Sequence, residues 1–337
     1  MPSEVEPPVD IGIGIIGAGA IAEAHVAAYR ATGARVVAVM SRHAEDARRL
    51  ARVADADLAT DSLDTLLTCP AIRAVDVCTP TSSHAEIAIA AAMHGKHVHV
   101  EKPMALSLRD ADAMIAACRR AGVQLMVGQT ARYQAVSRAL RAAISGGEVG
   151  TPFHLDIVWN HGVFWPGGWR GWQIDPTVSG GHLVHNGVHA FDLACWLLGD
   201  RPRRVYAQAR AAAHPGMATH DYWRALVTFD SGATATCEIG YVLRQPTAVH
   251  RQLSVYGSAG AAFHTTTDDG VVYAADGAQS LEMYGADAMS VQLAEWVAAL
   301  RGHGNVPVSG EDGRRALAVG LAAQASVERG HPVEVEL

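Results

Sequence analysis

Residues Ile11 to Ala22, IGIGIIGAGAIA, restrict the possible folds of this chain more than any other stretch. A short apolar run ends in Gly17-x-Gly19-x-x-Ala22, and helix-forming residues continue from Ala22 to Arg30. A strand that turns on glycine directly into a helix is the opening of a dinucleotide-binding α/β unit. The first glycine makes the tight turn, the second lets a phosphate approach the backbone, and the small third residue lets the helix lie close to the strand. Phosphate would then sit at the helix N-terminus. Gly17, Gly19, Ala20 and Ile21 are the candidate contacts.

The pattern after this unit alternates. Strands are expected at Ile11-Ile16, Arg35-Met40, Ala74-Cys78, His97-Val100 and Gln124-Val127, and helices at Ile21-Ala31, Ala44-Ala54, Leu63-Leu67, Ser83-His94 and Leu108-Ala121. Such alternation implies a doubly wound parallel sheet. A helix at Gln134-Ser145 ends on Gly146-Gly147, and the character then changes. Alternating segments at Phe153-Trp159, Arg204-Ala212, Tyr222-Phe229, Thr234-Tyr241 and Gln252-Tyr256, separated by turns such as Asp230-Ser231-Gly232, signal an antiparallel sheet. Helices are expected at His182-Leu198, Ser290-Arg301 and Glu311-Arg329. The fold class is α/β, with an N-terminal Rossmann domain over 1–129 and a C-terminal α+β domain over 130–337, whose terminal helix is free to pack back on the first.

At 337 residues the chain is long enough for two cores, and 49% apolar with 18% charged residues is a globular composition. A net charge of -7 leaves no footprint for nucleic acid or an anionic membrane. The acidic, proline-rich MPSEVEPPVD is the opposite of a signal peptide. Five scattered cysteines (Cys69, Cys78, Cys118, Cys195, Cys237) without a CxxC read as small core residues in a reducing compartment, so the cytoplasm is expected.

His97 to Pro103, HVHVEKP, reads as a strand that delivers Glu101-Lys102 at its carboxyl end, where open parallel sheets bind their ligands. With GIIGAGAIA (14–22), TPTSSHAEIAIAAAMHGKHVHVEKPMAL (79–106), VGQTARY (127–133) and SGGHLVHNGVHAFDLACWLLG (179–199) in this order, the chain resembles the Gfo/Idh/MocA (glucose-fructose oxidoreductase/inositol dehydrogenase) family. The resemblance implies a large open, mainly antiparallel second sheet that builds homodimers or homotetramers. It also implies an active site between the domains, a carbohydrate or polyol substrate and, commonly, a cis bond before Pro103. It makes Lys102 a contact of both cofactor and substrate, sets Thr79, Pro80 and His84 along the nicotinamide ribose with Glu101 as a ribose contact, and adds Tyr133 on the substrate side.

One signature departs from the family. His189 matches the family histidine, but His185 stands where an aspartate is frequent, Ser179 replaces a glycine, and His182 fills a position that is usually small or apolar. Removing a hydroxyl proton as hydride leaves the same carbon needs a base whose pKa is near working pH. Without the aspartate His189 is expected to be neutral, either it or Lys102 is the base, and His185 binds or relays. Histidines at i and i+4 can ligate zinc, yet no acidic or thiol partner accompanies these, and no metal is assigned. His182 is expected to pack or cap. His94, His97 and His99 are expected at solvent or an interface. The glycine-rich stretch Trp159 to Trp172 is read as a loop in which Trp165, Trp169 and Trp172 stack on a sugar and Arg170 binds a polar group, or else as a packing loop. Asp175 either reaches the site or caps the next segment. After the second strand come Ser41 and Arg42, with no acid before Glu45, which favours NADP over NAD.

The function these residues support is hydride transfer between a nicotinamide and a secondary alcohol or ketone carbon of a sugar, sugar derivative or cyclic polyol. The alternative is an NAD-dependent glycoside hydrolase working by transient oxidation, elimination, water addition and re-reduction. A non-catalytic dinucleotide sensor ranks last, since Lys102 and His189 are both present.

Overall fold

The computed structural model describes residues 11–163, 168–244, 248–265, 268–274, 277–280 and 287–337, with backbone only for Trp169 and for 268–274 and 277–280. The first sheet contains β1 (Gly12–Ile16), β2 (Arg35–Met40), β3 (Leu58–Thr60), β4 (Ala74–Val77), β5 (His97–Glu101) and β6 (Leu125–Gly128). Helices α1 (Ala20–Tyr29), α2 (Ala44–Ala54), α3 (Leu63–Thr68), α4 (His84–Met93) and α5 (Leu108–Ala121) connect them. All neighbours in this sheet pair in parallel, in the order β3-β2-β1-β4-β5-β6. Strands such as β1, GIGII, are buried along their whole length, as a sheet covered by helices on both faces requires. The strand order reverses between β1 and β4, so the carboxyl ends of these strands open a crevice there. The glycine loop and the Glu101-Lys102 strand end both lie at those carboxyl ends.

After α6 (Ala135–Ser145) come β7 (Pro152–Gly162), α7 (Pro176–Ser179), α8 (Gly181–Leu198), β8 (Pro202–Arg210), β9 (Tyr222–Phe229), β10 (Thr234–Leu243) and β11 (Val249–Gly257). The chain continues through β12 (Ala261–Thr265), β13 (Asp268–Ala274), β14 (Gly277–Ser280), α9 (Ala288–Leu300), α10 (Gly310–Arg329) and β15 (Val333–Glu334). The nine strands run in the order β14-β13-β12-β11-β7-β10-β9-β8-β15. Their pairing is antiparallel except for the central β7–β10 pair, which is parallel. One face of this sheet carries α8 and α10. The alternation in β9, where Trp223, Ala225, Val227 and Phe229 are buried and Arg224 and Leu226 exposed, shows a sheet covered on that side only.

Two apolar clusters result, and two helices, α8 and α10, contribute to both. From α8, Val184 and Val188 enter the first cluster, while Leu183, Ala190 and Phe191 enter the second. From α10, Ala316 and Leu317 face the first and Val319, Ala322 and Ala323 the second. Helix α9 gives Leu293, Trp296 and Val297 to the first, Trp296 being fully buried there. Ahead of α10 the chain lines the free edge of β6, with Val127 N donating to Val308 O at 3.1 Å and a bridge between Met126 and Ser309.

The elements that sequence periodicity missed are short or late: β3, α7, β12, β13, β14 and β15. The stretch read as a loop from Trp159 is corrected in part, because Trp159 to Gly162 finish β7. Trp159 is buried there, with its Nε1 donating to Asn186 Oδ1 at 3.2 Å.

Candidate active site

The glycine turn is built as the fingerprint requires. Gly17 has φ +111°, and a Cβ on it would lie 2.6 Å from Cys78 O, so a side chain is excluded by both backbone conformation and space. A Cβ on Gly19 would meet nothing within 4 Å. Gly19 is the N-cap of α1, no side chain caps that terminus, Ala20 and Ile21 beside it are exposed, and Ala22 is buried against the sheet. This open space over a helix N-terminus fits a dinucleotide pyrophosphate. Gly17 N donates to Met40 O at 2.8 Å, which sets the end of β2, and with it half-buried Ser41 and exposed Arg42, next to the loop. The sequence reading missed Arg49 of α2, whose guanidinium donates to Ala18 O at 2.8 Å and pairs with Glu23.

The next groups come from β4 and β5. Thr79 and Pro80 are half-buried at the end of β4, where Ser83 Oγ donates to Thr79 Oγ1 at 2.8 Å. His84 is buried, with Nδ1 2.9 Å from Pro103 O and Nε2 2.8 Å from Thr79 O. Burial lowers its pKa, and a neutral ring donates to one of the two carbonyls, so His84 ties the β4 and β5 turns together instead of offering a free donor to a ribose. The Lys102–Pro103 bond is cis. Lys102 is one of two lysines in the chain, the other being Lys96, which donates to Cys69 O and Ile72 O at 3.0 and 2.7 Å.

Helix α8 closes the site from the second unit. Lys102 Nζ donates to His185 O at 3.2 Å, across the boundary between the two clusters. The His189 ring is 5.5 Å from that of Trp159, and the Trp172 ring meets His185 edge-on at 5.8 Å. Trp172 is 41% exposed, which makes it a mouth residue. His161 of β7 and Arg251 of β11 complete this side. The Arg251 guanidinium lies 4.0 Å over the Trp159 ring, and its Nη2 is 3.5 Å from His161 Nε2. Lys102, His185, His189 and Trp172 are thus brought together.

The structure separates other sequence candidates from this group. Tyr133 is buried, and burial, then Glu295 and Asp192, hold its phenol well above the usual range against the opposing charges of Arg132 and Arg138. It lines a separate opening of about 320 Å³ with Arg138, Arg141 and Trp196, and its substrate role is therefore withdrawn. Asp175 proves to be a cap: its carboxylate accepts from Thr177 N at 2.8 Å and Thr177 Oγ1 at 2.7 Å at the start of α7. His182 packs, with its ring stacked on Tyr241 at 4.1 Å. The Ser179 hydroxyl donates to Gln173 O at 2.8 Å and accepts from Gly181 N at 3.1 Å, which ties the Trp172 turn to the start of α8. Arg170 is exposed. Trp165 lies outside the described residues, and of Trp169 only the backbone is described.

Beneath Glu101 lies a feature the sequence reading placed wrongly. His99, expected at solvent or an interface, is fully buried, with Nδ1 2.8 Å from Asp76 Oδ1. His25 Nδ1 lies 2.7 Å from Asp76 Oδ2, and its Nε2 is 3.2 Å from Glu101 Oε1. His25, Asp76 and His99 bring their ligand atoms within 4.8 Å of one another. However, ring nitrogens in direct hydrogen-bond contact with the carboxylate leave no place between them for an ion with bonds of about 2 Å. Glu101, proposed from sequence as a ribose contact, is 6% exposed, and its Oε2 accepts from Lys102 N at 3.1 Å.

The electrostatics of the cleft are one-sided. Burial lowers the Lys102 pKa, opposed by Glu101. Burial, then Lys102 and other basic neighbours, hold His185 and His189 well below the usual imidazole range. Burial and Arg251 press His161 down to about 3, and burial presses His182 down to about 4. These four imidazoles are neutral at pH 7.

This has a consequence for stability. A histidine with a lowered folded pKa binds its proton more readily in the unfolded chain, so its contribution is intact above about pH 6.5 and declines below it by about 1.4 kcal/mol per pH unit. His25, whose pKa is raised chiefly by Asp76 against the effect of burial, acts in the opposite sense. With His84 and His97 lowered as well, six against one predicts a melting temperature that falls steeply between about pH 7 and pH 5, with net proton uptake on unfolding. Calorimetry across that range checks it, and a flat profile would contradict the neutral buried cluster.

Comparison with known proteins gives a consistent result. Residues 11–129 match the family described as oxidoreductase family, NAD-binding Rossmann fold, and residues 137–263 match the GFO/IDH/MocA C-terminal domain. The 1,5-anhydro-D-fructose reductase of Ensifer adhaerens is 33% identical over 331 residues, 96% of this chain and 98% of that protein. The myo-inositol 2-dehydrogenase of Thermotoga maritima is 29% identical over 348 residues, 96% of this chain and 98% of that protein. Among solved structures, an oxidoreductase domain protein from Kribbella flavida superposes with a TM-score of 0.88 at 26% identity, covering 97% of this chain and all of the other.

Proposed function

Since the chain belongs to the Gfo/Idh/MocA oxidoreductases, we propose that it interconverts a secondary alcohol and a ketone on a sugar or cyclic polyol, with Lys102 as the proton-transfer group. When bound, the dinucleotide supplies the hydride acceptor or donor. The observation that carries the assignment is that Lys102 is held in the cleft on His185 O with burial pressing its ammonium toward neutrality, while His185 and His189 are already neutral and the other cation, Arg251, is a guanidinium stacked on Trp159. A group whose pKa approaches the working pH from above exchanges a proton more effectively than one far below it. In the oxidative direction the neutral Lys102 amine takes the hydroxyl proton, and in the reductive direction the ammonium returns it.

His189 then acts as a neutral hydrogen-bond partner that orients the reacting hydroxyl, and Trp172 gives the sugar ring an apolar wall. His185 has its backbone carbonyl on Lys102 and its ring under Trp172, so it shapes the floor. His189→Ala is expected to lower kcat/KM by about a hundredfold, whereas His185→Ala should leave activity within about tenfold. Steady-state kinetics on purified variants measure both, and the reverse ranking would reassign the two roles.

NADP is the proposed cofactor: Ser41 and exposed Arg42 flank the glycine loop at the end of β2, where a 2'-phosphate finds donors and meets no carboxylate before Glu45. A cytoplasmic location is consistent with five free cysteines, four of them buried. Among the described residues no helix is long and apolar enough to cross a membrane. Tyr206 and Leu226, register partners at 39% and 42% exposure, give the open face of the second sheet an apolar spot suited to a homo-oligomer.

The deciding experiment follows reduced-nicotinamide absorbance and aglycone release together over sugars, polyols and aryl glycosides, with NAD and NADP in parallel. Stoichiometric NADPH formation without a released group supports the dehydrogenase. Cofactor-dependent aglycone release without accumulated NADPH identifies the transient-redox hydrolase instead.

A further inference from the structure

The buried group under the strand end has no part in the chemistry assigned so far. His25 lies on α1 with no exposure, Asp76 is in the middle of β4, and His99 and Glu101 share one face of β5 by strand periodicity. We propose that His25 is a positioning residue for Lys102: seated between Asp76 and Glu101, it fixes the Glu101 carboxylate and, through it, the charge on Lys102. This rests on the reading of Lys102 as the proton-transfer group.

The protons can be placed from the partners. The Thr130 hydroxyl donates to Gln292 Oε1 at 2.8 Å, so the Gln292 amide nitrogen, 3.1 Å from His99 Nε2, donates to that ring. His99 therefore donates from Nδ1 to Asp76 and accepts at Nε2. His25 has a carboxylate oxygen at each ring nitrogen, at 2.7 and 3.2 Å, which calls for a proton on both and makes it the imidazolium. The remaining neighbours stay neutral: Cys78, 3.5 Å from His25 Nδ1, has a thiol pushed up to about 12 by burial and Asp76, and burial raises the Tyr29 phenol well above its usual range. Trp296 of α9 closes the far side, its ring 6.2 Å from that of His99.

The charges then balance as two carboxylates, Asp76 and Glu101, against two cations, His25 and Lys102. Among the described residues, the groups that face Lys102 from elsewhere are basic: His185 and His189 of α8 and His161 of β7, with Arg251 of β11 behind them. Glu101 is thus the carboxylate against Lys102, and His25 offsets part of its field. The fit is close, since a Cβ on Gly128 would lie 2.8 Å from Glu101 Oε1.

Removing the imidazolium should raise the Lys102 pKa, because a nearby cation is lost and the Glu101 charge is left unbalanced. Removing the Glu101 charge should lower it. With only two lysines in the chain, lysine labelled with 13C at Cε gives two signals, and Lys96→Arg assigns them. Titration of the full-length protein is expected to move the Lys102 midpoint up by about one unit in His25→Gln and down by about one unit in Glu101→Gln. The ascending limb of kcat/KM against pH for alcohol oxidation should move the same way. An unmoved Lys102 midpoint in a folded variant overturns the inference, and if His25→Gln fails to fold, Glu101→Gln decides alone. The NMR arm needs no substrate, so a failed oxidoreductase reading would show separately, as absence of redox turnover in the unmodified protein.

Discussion

Lys102→Ala is expected to lower turnover by about a thousandfold or more while leaving dinucleotide binding intact. The size follows from the loss of the group that exchanges the hydroxyl proton, a contribution of about 10² to 10⁴, together with loss of the Nζ contact to His185 O that fixes its direction. Binding should survive because the open helix terminus proposed to take the phosphates is the Gly17–Ile21 turn on the other side of the crevice. Quenching of intrinsic tryptophan fluorescence by NADPH measures binding, and single-turnover kinetics measure chemistry. A small primary amine added to the alanine variant should restore part of the rate. Activity within about tenfold of the parent would remove Lys102 from the proton path.

Arg132→Met is expected to destabilise the fold by about 3–5 kcal/mol without touching the cleft. Arg132 Nε and Nη2 donate to Asp192 Oδ2 and Oδ1, both at 2.6 Å, with the two side chains only 7% and 1% exposed. A third contact, Nη1 to Asp312 Oδ2 at 3.5 Å, reaches the first turn of α10, and the guanidinium lies 5.7 Å over the Trp196 ring. Methionine fills the volume but leaves the Asp192 carboxylate buried without its partner, and that uncompensated charge is the source of the loss. Pairing it with Asp192→Leu should recover most of the stability, since an apolar pair of similar bulk is often neutral. Urea denaturation measures both variants. A loss below about 1 kcal/mol for the single variant would mean that Asp192 finds water or a new donor.

The legible parts of this molecule were those with local signals. The first sheet could be read because each strand is an apolar run followed at once by a helix, and the glycine turn because its geometry needs only a few consecutive residues. Lys102 and His189 came from local motifs matched to a family. The His25–Asp76–His99 group escaped because its members lie on three elements and each alone looks like an isolated polar residue. One clue was present: Asp76 interrupts an otherwise apolar strand, and a carboxylate in the middle of a parallel sheet must have partners. A second was the alternation in HVHVE, which puts His99 and Glu101 on one face. Tyr133 was misplaced for the opposite reason: its sequence neighbours are near the site, but its phenol turns toward α9; Asp175, left open between the site and a cap, turns its carboxylate back to cap α7.

The first cluster is completed by Leu293, Trp296, Val297 and Leu317, which follow every strand of the second sheet except β15 in the chain. On the ribosome, the Rossmann sheet therefore emerges long before the residues that seal it, at synthesis rates of about 5–20 residues per second. Until then the pocket for Trp296 beside His99 and the free edge of β6 stand open, so the nascent chain carries a sticky, half-built sheet for tens of seconds or less. Translation must reach the C-terminal helices before the N-terminal sheet can mature, and chaperone demand should concentrate in that interval.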